Sequence, residues 1–214
     1  MRQEKPSPRR RVIVLGSHNR GKLREIEAIL GHLPVEWRTL DAFPQAVAPD
    51  ETGATFAENA RIKALGLARQ LGAWVLADDS GLCVDALDGG PGVRSARYAG
   101  PGAADAEKVA KLLAELRGVP PERRGAAFVC AVALASPGGV LLETEGRCGG
   151  ILRFESRGHN GFGYDPIFED PESGATFAEL PEEAKNRISH RGRALRKLAE
   201  RLPDLLAAHE KTKE

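Results

Sequence analysis

Residues Ala126 to Ala135 form an unbroken apolar run. A strand with one wet face alternates apolar and polar side chains. This run is apolar on both alternating sets, so it reads as a central strand covered on both faces. That constrains the fold more than any other feature, because a sheet covered on both faces needs helices on each side of it. The run is only about half as long as a membrane-spanning helix needs to be, so no membrane segment is expected. Apolar residues make up 42% of the 214-residue chain, enough for a sizeable core.

Strand and helix patterns alternate around that run. Arg11 to Gly16 reads as a short buried strand. Gly21 to Leu30 reads as a helix with Leu23, Ile26, Ile29 and Leu30 on one face. Val35 to Leu40 is a second strand. Thr55-Phe56-Ala57-Glu58 is a capping box, which opens a helix that runs to about Leu71. Trp74 to Ala77 reads as a short strand ending at Asp78-Asp79. Leu82 to Leu87 reads as a separate strand, closed by the turn Asp88 to Gly92. A helix over Ala104 to Arg117 follows. The central run then pairs with Val140 to Gly146 across Pro137-Gly138-Gly139, and Ile151 to Phe154 extends the sheet. The last helix starts near Ser189 and is broken or restarted at Pro203. The sum is an α/β fold with a mixed sheet. Gly-Ala-Thr-Phe-Ala-Glu occurs twice, at 53–58 and 174–179. The flanks do not match, so the second copy reads as another capping box and not as a duplicated domain.

The formal net charge is +1, which argues against a general nucleic-acid binder. Arg2, Lys5, Arg9, Arg10 and Arg11 make the N-terminus basic, which fits an arm that touches nucleic acid or a disordered leader over residues 1–10; Pro6 and Pro8 interrupt it and favour the leader. A charged tail over 210–214 is the other expected appendage. Cys83, Cys130 and Cys148 follow no metal-ligand spacing; Cys83 and Cys130 lie in apolar runs and read as buried thiols, which suits a reducing cytosol. The charged N-terminus has no apolar stretch behind it, so no signal peptide is expected.

Five segments carry chemistry. Gly16-Ser17-His18-Asn19-Arg20-Gly21-Lys22-Leu23 matches a phosphate-binding P-loop at every position but the last. Lys22 can hold phosphate, and the helix start adds an anion site to which Ser17 and Asn19 contribute donors. Leu23 replaces the hydroxyl that would hold Mg²⁺ and starts the helix's core stripe instead. An ordinary strand–helix turn explains the segment equally well. Asp78-Asp79-Ser80-Gly81 fits Mg²⁺ bound through carboxylates and substrate phosphates, or an exposed acidic turn. Glu51 is a second metal ligand or a solvated loop acid. Asn160-Gly161-Phe162-Gly163-Tyr164-Asp165 places two aromatics in a Gly-rich loop that can stack on a base or plug a cavity. Lys185 to Arg191 places His190 and Arg191 in the first turn of a helix capped by Ser189, where cations oppose the helix dipole. An anionic or carbonyl-rich ligand would supply the reason.

Taken together, these segments resemble the Ham1/RdgB-like inosine/xanthosine triphosphate pyrophosphatase family. The resemblance spans nearly the whole chain after the leader. Its carriers are Ser17 to Lys22, Glu51 to Ala60, Ala77 to Leu82, Pro91 to Tyr98, Phe162 to Pro166 and Ser189 to Arg191. The family's first motif usually begins with Thr, whose hydroxyl Ser17 keeps; the next position, His18, is variable. The resemblance implies a long twisted mixed sheet flanked by helices, two lobes around a central cleft, and one two-lobed domain over 11–209. It implies Mg²⁺-dependent hydrolysis of ITP, dITP and XTP to the monophosphate and pyrophosphate, by a cytoplasmic homodimer with no membrane or nucleic-acid partner. Ser17, His18, Asn19, Arg20, Gly21 and Lys22 would cradle the phosphates. Glu51 and Asp79 would hold Mg²⁺, with Asp79 also acting on the attacking water, and Ser80 would contact substrate. Phe162 would stack on the base beside Gly163, Tyr164 and Asp165, and Lys185, His190 and Arg191 would read the base edge. A P-loop-like NTPase or phosphotransferase is the competing reading.

Overall fold

The structure, a computed structural model, describes residues 10–211. Residues 1–9 and 212–214 hold almost all of the expected leader and much of the expected tail, and they lie outside the described residues. The elements are β1 (Arg11–Leu15), α1 (Arg20–Leu30), β2 (Val35–Thr39), α2 (Phe56–Leu71), β3 (Trp74–Val84) and α3 (Asp105–Glu115). They continue with β4 (Gly125–Ser136), β5 (Gly139–Leu152), β6 (Phe168–Glu169), α4 (Glu182–Ile188) and α5 (His190–Lys211). The strands form one mixed sheet in the order β2-β1-β3-β4-β5-β6. β1 is parallel to β2 and β3, and the remaining neighbours are antiparallel.

β4 is buried from Ala126 to Ala135, as its two-sided apolar pattern requires. Cys130, Val132 and Leu134 face a core shared with Leu23 and Ile26 of α1 and Leu195 and Leu198 of α5. Ala131, Ala133 and Ala135 face Ala60, Ala64 and Ala68 of α2. Small side chains on both partners let that helix lie close to the sheet. A third core gathers Leu82, Val84, Ala126 and Phe128 under Val109, Leu112 and Leu116, the last just past the end of α3. The long strands β3 and β4 therefore pass from one pair of cores to another. On β3 the residues between them, Asp78 to Gly81, belong to none of the three.

Several local expectations change. β3 is one continuous strand, not two, in register with β4 from Val75↔Ala135 to Val84↔Ala126. Asp78 and Asp79 therefore lie inside a strand and not at its end. Gly81 stays unsubstituted there because a Cβ would lie 2.4 Å from Ser95 Oγ and 2.5 Å from Gly92 O. β5 is likewise a single strand. α5 runs through Pro203 without ending. That proline lies on the exposed face, where water can satisfy the carbonyl it leaves unpaired. The second Gly-Ala-Thr-Phe-Ala-Glu starts no helix. The Glu carboxylate accepts from the Thr N–H in both copies, Glu58 from Thr55 and Glu179 from Thr176. In the second copy, however, Pro181 follows Leu180, and the residue before a proline is disfavoured in the helical region. Thr176 bridges Glu169 instead, and Phe177 enters the aromatic core.

The start of α5 is seated directly on β5 at Gly146. A Cβ at that position would lie 2.1 Å from His190 O and 2.6 Å from Ala194 N. Gly146→Ala is expected to push the helix off the strand and cost roughly 1–3 kcal/mol by overpacking. Urea unfolding checks this, and an unchanged midpoint would refute the close seating.

Candidate active site

β1 pairs with β3 only as far as Leu15↔Leu76, so β3 continues past it with one edge free of β1. The chain leaves β1 at Gly16, whose N–H donates to Leu76 O at 2.7 Å, and crosses that edge. Side chains of consecutive strand residues point to opposite faces. Asp78 and Asp79 thus have different surroundings.

Asp78 turns toward α1 and α5. Its Oδ2 accepts from Lys22 Nζ at 3.0 Å and from Arg191 Nη2 at 3.1 Å. Burial alone would raise its pKa, but Lys22, Arg191 and Lys63 outweigh burial and hold the carboxyl far below the ordinary range. Asp79 turns toward α2. Its Oδ2 accepts from Asn59 Nδ2 at 3.1 Å, and its Oδ1 accepts from the Ser80 N–H at 3.0 Å. Burial raises the Asp79 pKa, and the neighbouring Glu51 raises it further against the pull of Lys63 and Lys22. Asn59 also accepts from the Gly53 N–H at 2.8 Å, which ties the Glu51 loop to Asp79.

Glu51 Oε1 and Asp79 Oδ1 both approach the Lys63 ammonium, at 2.9 and 3.7 Å. Two carboxylates drawn around one cation on a cavity wall fit a hard divalent ion that completes its shell with phosphate oxygens and water. Among the described residues no group of three or more His, Cys, Asp or Glu side chains could hold a metal by itself.

The strand–helix loop is internally braced. Asn19 caps α1 by accepting from the Lys22 N–H at 3.1 Å, and Ser17 Oγ accepts from the Asn19 N–H at 3.1 Å. Leu23 is buried in the core of α1, as its place in the apolar stripe requires. His18 lies at the exposed rim, 3.8 Å from Asp41.

Beyond Asp78 a chain of buried charges continues. Arg191 donates to Asp78, to Ser80 Oγ at 2.8 Å, and to Glu25 of α1. Glu25 in turn holds Lys185 Nζ at 2.8 Å, and Lys185 holds Asp165 at 2.6 Å. Burial works against the charge on Glu25, but Arg191 and Lys185 overcome it and lower its pKa. The helix-dipole conflict at the start of α5 is thus met by protein carboxylates. Ser189 caps the helix as expected, accepting from the Gly192 N–H at 3.1 Å. His190 is stacked on Phe128 at 4.7 Å between centroids, and burial beside Arg191 and Lys185 holds its pKa well below 6.5.

Asp165 also accepts from the Phe162 N–H at 2.9 Å, and Tyr164 Oη donates to Ser95 O at 3.0 Å. The Phe162 ring lies over Lys185 Nζ at 4.9 Å and against Gly21, where a Cβ would come within 2.7 Å of it. Every expected site residue, from Ser17 to Lys22, Glu51, Asp79, Ser80, Phe162 to Asp165, Lys185, His190 and Arg191, lines one cavity of about 580 Å³. Lys63, Asp105 and Lys108 line it too, and Glu25 and Asn59 brace its walls. Sequence reading missed these five. The available signals were an acid beside an apolar stripe (Glu25) and an Asn–Lys pair one turn apart on α2.

His190 gives stability a defined pH dependence. The unfolded chain binds a proton there as pH falls through 6.5, and the folded protein does not. This group should therefore cost the native state up to about 2 kcal/mol between pH 7 and pH 5. Denaturant unfolding at both pH values should show a smaller acid loss in His190→Gln. An equal loss in the variant would contradict the assignment.

Similarity to known proteins agrees with this geometry. The Ham1 family model matches residues 13–201. A dITP/XTP pyrophosphatase of Geobacter sulfurreducens is 54% identical over 190 residues, which is 89% of this chain and 96% of that protein. One from Geobacillus kaustophilus is 50% identical and covers 94% of this chain and 98% of its own. Among solved structures, a HAM1 protein from Coxiella burnetii superposes with a TM-score of 0.83 at 44% identity, covering 91% of this chain and 99% of that one. The Ham1 protein of Staphylococcus aureus gives 0.81 at 38% identity, with the same coverage. The chain belongs to the Ham1 family.

Proposed function

We propose that this protein hydrolyses deaminated purine nucleoside triphosphates (ITP, dITP and XTP) to the nucleoside monophosphate and pyrophosphate, and so cleanses the nucleotide pool. The observation that carries the reading is that a single cavity unites Lys22 on a strand–helix loop, the Glu51–Asp79 carboxylate pair, and Phe162 beside the buried donors Lys185, His190 and Arg191. Groups suited to hold phosphate, activate water and recognise a base would thus share one wall system. Residues 11–209 would act as one two-lobed domain, in a cytoplasmic homodimer. Among the described residues no helix is long and apolar enough to cross a membrane.

Residues Ser17 to Lys22 would bind the triphosphate, with the Lys22 charge facing its oxygens. Attack at the α-phosphorus leaves the protein little covalent chemistry to do, so positioning and charge neutralisation carry the rate. Glu51 and Asp79 would hold Mg²⁺, which when bound supplies Lewis-acid stabilisation of phosphate charge. Asp79 would also orient the attacking water and take its proton. Ser80, already held by Arg191, would present its hydroxyl to the substrate.

Phe162 would stack on the base, with Gly163, Tyr164 and Asp165 completing that wall. Selectivity would follow from a wall made mainly of donors. Asp165 and Glu25 are both taken up by Lys185, and Glu25 by Arg191 as well. Lys185, His190 and Arg191 would meet the O6 of hypoxanthine or xanthine, while the 6-amino group of adenine finds donors opposite it. A mismatch of that type can discriminate by roughly 10⁴-fold. A P-loop phosphotransferase would need a hydroxyl at position 23, where a buried leucine sits.

Product analysis on ITP tests the reaction class. Pyrophosphate and IMP are expected, and release of orthophosphate would overturn the reading. Asp79→Asn should retain ITP binding and lose turnover by roughly 10²–10⁴-fold. Unchanged turnover would remove Asp79 from its role.

A further inference from the structure

The loop that carries Phe162 is a glycine-flanked turn. Gly161 and Gly163 flank the ring with φ of +74° and +63°, conformations that glycine adopts without strain. What fixes the ring is the pair of backbone N–H groups between those glycines. The Phe162 N–H donates to Asp165, which Lys185 anchors. The Gly163 N–H donates to Asp105 Oδ2 at 2.6 Å, across 58 residues of sequence.

Asp105 is the first residue of α3, a helix anchored in the core through Val109 and Leu112. Its other oxygen, Oδ1, accepts from Lys108 Nζ at 2.7 Å one turn along the same helix. The lysine thus holds the carboxylate so that Oδ2 meets the loop. Burial works against the charge on Asp105, but Lys108 and the Gly163 N–H overcome it and lower its pKa. A carboxylate bonded to a backbone N–H is stronger than a neutral pair, although half-exposure of Asp105 reduces that advantage.

We infer that Asp105 is a positioning residue for base binding: by holding the Gly163 N–H to α3, it sets where the Phe162 ring stands in the cavity. The inference rests on the reading that Phe162 stacks on the base. Because the base keeps that contact in the ground and transition states, loss of the latch weakens substrate binding more than it slows the chemical step.

Steady-state kinetics with ITP on Asp105→Ala, Asp105→Asn, Phe162→Ala and the Asp105→Ala/Phe162→Ala double variant decide the matter. Phe162→Ala should raise KM roughly tenfold. Asp105→Ala should raise KM roughly three- to tenfold with kcat within about twofold. Asp105→Asn, which keeps an acceptor oxygen, should recover most of that loss. On the Phe162→Ala background, removal of Asp105 should add almost nothing, because its effect travels through the ring. If Phe162→Ala raises KM and Asp105→Ala does not, or if the two effects simply multiply, the latch is overturned while the stacking reading survives. If Phe162→Ala leaves KM unchanged, both fall together.

Discussion

The buried carboxylate of Asp78 is the contact on which the rest of the site depends. It lies inside a strand, away from water, and it is tolerable there only because Lys22 and Arg191 reach it from two different helices. A buried ion that loses its partner is strongly unfavourable, so each of these groups requires the others. Asp78 therefore fixes where α1 and the start of α5 meet β3. Glu25 carries the constraint onward to Lys185, and Lys185 carries it to Asp165 in the aromatic loop. The chain of charges is balanced: Asp78, Glu25 and Asp165 against Lys22, Arg191 and Lys185. It links the strand–helix loop that carries Lys22 to the aromatic loop that carries Asp165.

Sheet parity then divides the work between two adjacent acids. Asp78 faces the cations that hold the fold together. Asp79 faces Asn59, Lys63 and Glu51, where burial, with Glu51 adding to it, raises the pKa against the pull of Lys63 and Lys22. One side of the strand is electrostatically satisfied by the protein. The other turns Asp79 and Glu51 toward the cavity, where they share the Lys63 ammonium. A single-residue change of register would exchange these roles, and the ten-pair ladder between β3 and β4 forbids it.

Much of this was legible in the residues. The two-sided apolar run specified a covered central strand, and the failed P-loop showed that Leu23 belongs to a core. The cations at the start of α5 marked a conflict that needed resolving. The resolution was not legible, because Glu25 lies 166 residues from Arg191 and reads as one more helix-surface acid. Asp105 is hidden for the same reason. The continuity of β3 was missed because acids and glycine look like strand breakers until their partners in other elements are known. The two copies of Gly-Ala-Thr-Phe-Ala-Glu make the point most directly. Identical residues cap a helix in one place and join a bridge and turn in the other, according to whether the following residues can continue a helix.

The division between the two acids is tested by comparing Asp78→Asn with Asp79→Asn in urea unfolding at neutral pH. Neutralising Asp78 takes away the carboxylate that buried Arg191 shares with the largely buried Lys22 and should cost roughly 3–5 kcal/mol. Neutralising Asp79 relieves a charge that burial disfavours but gives up one accepted hydrogen bond, from Asn59 or Ser80, so the loss should stay at about 1 kcal/mol. Equal losses, or a larger loss at Asp79, would contradict the account.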